Sequence, residues 1–186
     1  MVPIVSLWIP IAVAAVLVFV VSSIVHMVLR YHNSDYRELP REAETLAGLR
    51  QAALTPGMYV FPHCSNPKEM GSPEMAARYK QGPVGHLTVM ASAPPTMGKH
   101  LSQWFVYCVL VGFFAAYLAG HTLAPGAHYL AVFRVTGAAA FMAYGLGRAT
   151  DSIWMGHPWK STVKQIIDGL LYALVTAGAF GWLWPR

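Results

Sequence analysis

Apolar residues gather into four long runs along this chain, from about Leu7 to Leu29, Trp104 to Gly120, Tyr129 to Leu146 and Ile166 to Trp184. A helix rises ~1.5 Å per residue, so each run can cross about 30 Å of hydrocarbon, the last three near the short limit. The pattern predicts an all-α membrane protein with four transmembrane helices. Residues 1–30 hold the first helix, residues 31–102 a hydrophilic insertion, and residues 103–186 a three-helix transmembrane region (about 104–120, 129–146 and 166–184). The first run lacks a basic leader and is too long for a signal peptide, so it is read as a retained span.

Between the first two runs the period changes. Pro40 can open a helix to about Leu54, on which Leu46, Leu49 and Ala53 form one narrow apolar face. Met58 to Phe61 and His86 to Met90 read as short strands, and Ser72 before Pro73 and Glu74 starts a second helix to about Tyr79. The insertion is thus expected to be a partly folded α+β element. Two strands are marginal alone, so it must lean on the membrane, the bundle or a partner.

Within the runs, small residues recur every four positions: Gly112, Ala116 and Gly120; Ala139, Ala143 and Gly147; Gly169, Ala173, Ala177 and Gly181. Such stripes let helix backbones approach closely where lipid supplies little hydrophobic drive. They serve packing within one bundle, an oligomer interface, or both.

Charge sets the orientation. No charged side chain precedes the first run, whereas Arg30, Arg37, Arg41, Arg50, Lys68, Arg78, Lys80 and Lys99 follow it, and Arg148, Lys160 and Lys164 precede the fourth. Lys and Arg are retained on the cytoplasmic side during insertion, which places residues 31–102 in the cytoplasm and both termini on the periplasmic side. Trp8, Trp104, Tyr129, Trp182 and Trp184 fall near span ends, where amphipathic rings favour the headgroup zone. The net charge of +5 is interleaved with acids and carries no nucleic-acid reader motif. The composition, 55% hydrophobic and 11% charged, excludes an ordinary soluble domain.

Few residues carry candidate chemistry. Arg134 lies inside the third run with no acid at its level, so the C-terminal carboxylate or a lipid phosphate is expected to satisfy it. Lys164 and Asp168 have the i, i+4 spacing of a helical ion pair. His26, Asp151, His157 and Asp168 fall at one membrane level, where a proton relay is conceivable. His63, Cys64, Met70 and Met75 form a soft set that could bind Cu(I). His26 and His100 at one end, and His121 and His128 at the other, are the candidate axial ligands for haem b. No phosphate-binding loop, dinucleotide fingerprint, zincin helix or nucleophile elbow is present. Cys64 and Cys108 are not expected to form a disulfide.

The segment Ser22-Ser23-Ile24-Val25-His26-Met27-Val28-Leu29-Arg30, running into His32-Asn33-Ser34-Asp35-Tyr36, resembles uncharacterised bacterial inner-membrane proteins with four spans, as do Ile167-Asp168-Gly169-Leu170 and Gly181-Trp182-Leu183-Trp184-Pro185. The resemblance implies a bacterial inner (plasma) membrane and assigns no functional residue. The expected role is non-enzymatic: a homo-oligomeric assembly, or an accessory subunit among other membrane subunits in the lipid bilayer. A haem- or copper-binding redox or metal-handling protein is the alternative, and a transporter or channel the third class.

Overall fold

The computed structural model describes residues 1–94 and 96–186; Pro95, within the predicted insertion, lies outside them. In chain order the elements are α1 (Trp8–Ser23), α2 (Glu42–Gln51), β1 (Gly57–Phe61), α3 (Pro73–Gln81), β2 (Gly85–Val89), α4 (Met97–Thr122), α5 (Tyr129–Tyr144), α6 (Ala149–Met155) and α7 (Trp159–Trp182). Short turns extend α1 at both ends into one helical segment, Ile4–Val28. That segment, α4, the run from α5 through α6, and α7 are each long and apolar enough to cross a membrane. The chain is a multi-pass helical membrane protein.

The first compact unit holds these helices together with residues up to Tyr36; the second holds the insertion from Arg37 onward with Ile153–Gly156. Within the second unit β1 and β2 pair antiparallel, Gly57 opposite Val89 and Phe61 opposite Gly85. The Ser72 side chain accepts from the Met75 amide and caps α3, with Pro73 in its first turn.

Helix boundaries differ from the hydropathy runs on the polar side. α4 begins at Met97 and α7 at Trp159, so Lys99, His100, Lys160 and Lys164 are helical. A hydropathy window registers only the most apolar part of a helix, and both helices begin in more polar sequence before it. The bundle thus has a charged end, where α1 and α5 finish and α4 and α7 begin, and a terminal end that carries both chain termini.

Small residues set the packing. A Cβ on Gly112 would touch Ile11, and one on Gly120 would come 2.7 Å from the Val2 carbonyl oxygen, so α4 lies against the α1 segment along its stripe. On α7, a Cβ at Gly169 would sit 2.7 Å from the Tyr144 carbonyl carbon and one at Gly181 2.6 Å from the Tyr129 ring. Ala116, Ala173 and Ala177 are buried with them. On α5 the buried face is Val132, Thr136, Ala140 and Tyr144, and the close approach to α7 uses Gly137 and Gly145. Ala139 is half-buried, and Ala143 and Gly147 are exposed.

Two apolar clusters fill the bundle. One joins Leu7, Ala115, Val132, Phe180 and Trp184 towards the terminal end; the other joins Val18, Cys108, Ala140, Tyr144 and Tyr172 towards the charged end. The terminal end is tied by Val2 N–H donating to the Gly120 carbonyl (2.7 Å) and Trp184 Nε1–H donating to that of Ala124 (3.0 Å).

Candidate metal centre

The site begins where α1 stops being regular. Ile24–Val28 form a π-helical turn, Arg30 takes a left-handed conformation (φ 51°), and Tyr31–Asp35 form a 3₁₀ turn. A wider turn followed by a backbone reversal folds the chain back on itself, at a cost of about 1–2 kcal/mol for a non-glycine residue at positive φ. The result stacks His32 on His26, ring centroids 4.8 Å apart and planes 13° from parallel.

Lys164 of α7 clamps this fold-back. Its ammonium donates to the Tyr31 carbonyl (2.9 Å), Ser34 Oγ (2.8 Å) and Asp35 Oδ1 (2.7 Å), using all three of its protons. The ammonium beside Asp35 holds that carboxyl down at about 2, well below its usual range, with His32 and Ser161 adding smaller contributions against desolvation. The expected Lys164–Asp168 pair does not form. Asp168 instead accepts from His32 and from the Tyr31 hydroxyl, because a tertiary contact from the 3₁₀ turn outcompetes the local i, i+4 geometry.

His32 lies between two carboxylates. Nδ1 donates to Asp35 Oδ2 (2.7 Å) and Nε2 to Asp168 Oδ2 (2.6 Å), with side-chain exposures of 13% for His32, 9% for Asp35 and 7% for Asp168. Both ring nitrogens are thus engaged by carboxylate oxygens. Lys164, Asp35, His32 and Asp168 form one continuous chain of polar contacts, which offsets the desolvation that any one of them would suffer alone.

His26 completes the group. Its Nδ1 faces the Ser22 carbonyl oxygen at 3.1 Å, so Nδ1 carries the proton and the Nε2 lone pair is left for another partner. Ligand atoms of His26, His32 and Asp168 lie within 4.8 Å of one another, and among the described residues no other group of three or more His, Cys, Asp or Glu side chains does this. Donors around a tetrahedral ion at ~2.1 Å stand roughly 3.4 Å apart, so shifts of about 1 Å would close the set. Two imidazoles and one carboxylate suit zinc or ferrous iron better than soft Cu(I).

The centre opens on a cavity of about 370 Å³ between α1, α4, α5 and α7. Trp104, Tyr107, Tyr144 and Tyr172 wall it, with neighbouring centroids 5.6 to 6.0 Å apart. Trp104 Nε1–H donates to Ser22 Oγ (2.8 Å) and Tyr107 Oη–H to the Ala143 carbonyl (2.8 Å).

The other candidate residues lie elsewhere. His100 faces a second cavity with Gln103, Arg148 and Asp151. His121 turns Nδ1 to the Tyr117 carbonyl oxygen and His128 caps α5; both are exposed. Asp151 pairs with Arg148 at 3.7 Å and its carbonyl accepts from the His157 amide (3.2 Å), while Asp168 gathers with His26, so the relay set divides into two pairs. In the second unit, Cys64 Sγ donates to the Asn66 carbonyl, Met75 is buried with Sδ accepting from Arg78, and Met70 is exposed; Arg78 also donates to the carbonyl of His63. Arg134 is exposed on α5 and forms no ion pair with the C-terminal carboxylate.

Sequence reasoning missed His32 and Asp35 as site residues. The available signal was local: a dense His32-Asn33-Ser34-Asp35 run immediately after an apolar span. Comparison with known protein families, curated proteins and solved structures finds no match to this chain.

Proposed function

We infer that this chain is a metal-binding membrane protein whose divalent ion, of the zinc or ferrous class, is held by His26 Nε2, His32 Nε2 and an Asp168 oxygen. One observation carries the reading: both histidines have Nδ1 engaged by an oxygen acceptor, and their remaining nitrogens share a small volume with one carboxylate. Asp35 on His32 Nδ1 is the outer-shell carboxylate that orients metal-bound imidazoles and raises their basicity. Lys164 fixes that carboxylate in turn. The proton now shared by His32 and Asp168 occupies the place an ion would take, so uptake releases it and affinity falls in acid.

Three protein ligands leave coordination positions open towards the cavity, the arrangement of a working rather than a purely structural site. The concentration of Lys and Arg at the charged end favours a cytoplasmic placement of the centre, and the four-span pattern favours a bacterial inner membrane. The test is metal analysis of the purified full chain after equilibration with Zn²⁺ or anaerobic Fe²⁺. One ion per chain is expected, with at least tenfold weaker binding in His26→Ala, which removes a ligand together with one bond to Ser22 and the stack on His32. Substoichiometric metal, or equal affinity in the variant, would refute the reading.

A second reading, assembly with another copy or another membrane subunit, is favoured by the exposed Ala143 and Gly147. Cysteine crosslinking at Ala143 in native membranes tests it; the absence of any crosslinked species would count against it.

A further inference from the structure

We propose that the aromatic cavity at the charged end binds the oxygen-substituted ring of a membrane-soluble quinone, quinol or phenol, entering from the lipid. This binding function goes beyond the metal reading and does not require the ion. Two buried polar atoms, Gln165 Oε1 and Tyr172 Oη, have no hydrogen-bond partner, and both residues line this cavity. Leaving such groups dry and unpaired costs about 1–3 kcal/mol each, so a ligand that engages them recovers stability already forfeited. A hydroxyl and a primary amide offer both donors and acceptors, matching ring carbonyls in the oxidised form and ring hydroxyls in the reduced form.

Shape and charge narrow the ligand further. Four aromatic walls favour a flat ring that stacks or meets their edges. The volume, about 370 Å³, falls at the small end of ligand pockets. Arg148 is the cavity's sole Lys or Arg side chain and pairs with Asp151, while the carboxylate of Asp168 also faces the space. A phosphate head would meet the Asp168 carboxylate, and the one guanidinium there is shared with Asp151, so a neutral head is preferred. Met27, Met97 and Leu101 line the same cavity, are exposed, and belong to membrane-spanning segments, which gives an apolar route from lipid to the ring site.

The experiment is calorimetric titration of the full chain in lipid nanodiscs with a para-benzoquinone carrying a ten-carbon tail, with empty nanodiscs subtracted. It is run on chelator-treated and on metal-loaded protein. Saturable one-to-one binding is expected in both, so a failed metal assay and a failed ring site are told apart. Tyr172→Phe should weaken binding about tenfold, equivalent to ~1.4 kcal/mol. Its unfolding temperature should equal or exceed the parent's, because an unpaired hydroxyl is removed. Gln165→Leu should weaken binding similarly, and the lipid-facing Leu110→Ala should leave it unchanged. Absence of saturable binding, undiminished affinity in both Tyr172→Phe and Gln165→Leu, or displacement by decyl phosphate would overturn the proposal, the last making the cavity an anionic headgroup site.

Discussion

Asp168 and Gly169 are adjacent in α7 but meet opposite surroundings. Gly169 presses on the backbone of Gly145 and Tyr144, in a seam so close that no side chain fits. Asp168 looks towards α1 and the 3₁₀ turn, where the Tyr31 hydroxyl and the His32 ring donate to it. The seam holds by dispersion between backbones, which tolerates no added atom; the centre holds by complementary charge, which tolerates no missing partner. One helix turn therefore carries both the close backbone joint of the bundle and a carboxylate of the polar cluster beside it.

Damage on the polar side is expected to be the more severe. Asp168→Ala removes one of the two carboxylates on the His32 ring and orphans the Tyr31 hydroxyl, and is expected to cost about 3–5 kcal/mol, measured by thermal or denaturant unfolding in detergent. Metal retention should vanish with it. From the apolar side, Gly169→Ala drives a methyl into Gly145 and should cost about 1–3 kcal/mol or more. Gly98→Ala on α4 meets nothing within 4 Å and should be neutral or slightly stabilising, which separates crowding from helix propensity.

Acid separates the two neighbourhoods again. Asp35 keeps its charge in the folded protein down to about 2, against 3.8 when unfolded. Between these values the unfolded chain binds more protons, so this contribution is full above about pH 4 and is lost as pH falls through about 2. Lys164→Met removes the main cause, and its acid unfolding should begin at higher pH than the parent's. The Gly98→Ala profile should match the parent's. Among the polar substitutions the smallest effect on stability is expected for His26→Ala, about 0.5 kcal/mol, because the residue is exposed and loses one local bond and the stack on His32. A comparable loss of stability in His26→Ala and Asp168→Ala would show the centre to be a structural network rather than a binding site.

Four spans, the two short strands, the Ser72 cap and the crowding of charge at one end were legible in the sequence, because each follows from local composition and period. Small-residue stripes were legible too, but not the face that each uses. On α5 the close approach falls to Gly137 and Gly145, two positions before Ala139 and Gly147, since helix rotation is set by the partner's shape. The centre was legible only in fragments: His26 and Asp168 stood out as polar groups at one depth, while His32 and Asp35 read as loop. Asp168 lies 136 residues from His32 in the chain, and no local rule links them. Sequence alone placed these groups at the polar ends of the apolar runs, where charge is expected because burying it in hydrocarbon would be too costly. Tertiary structure decided that they meet, because the π turn and the reversal at Arg30 bend the chain back onto α7, where Lys164 has three protons to hold it.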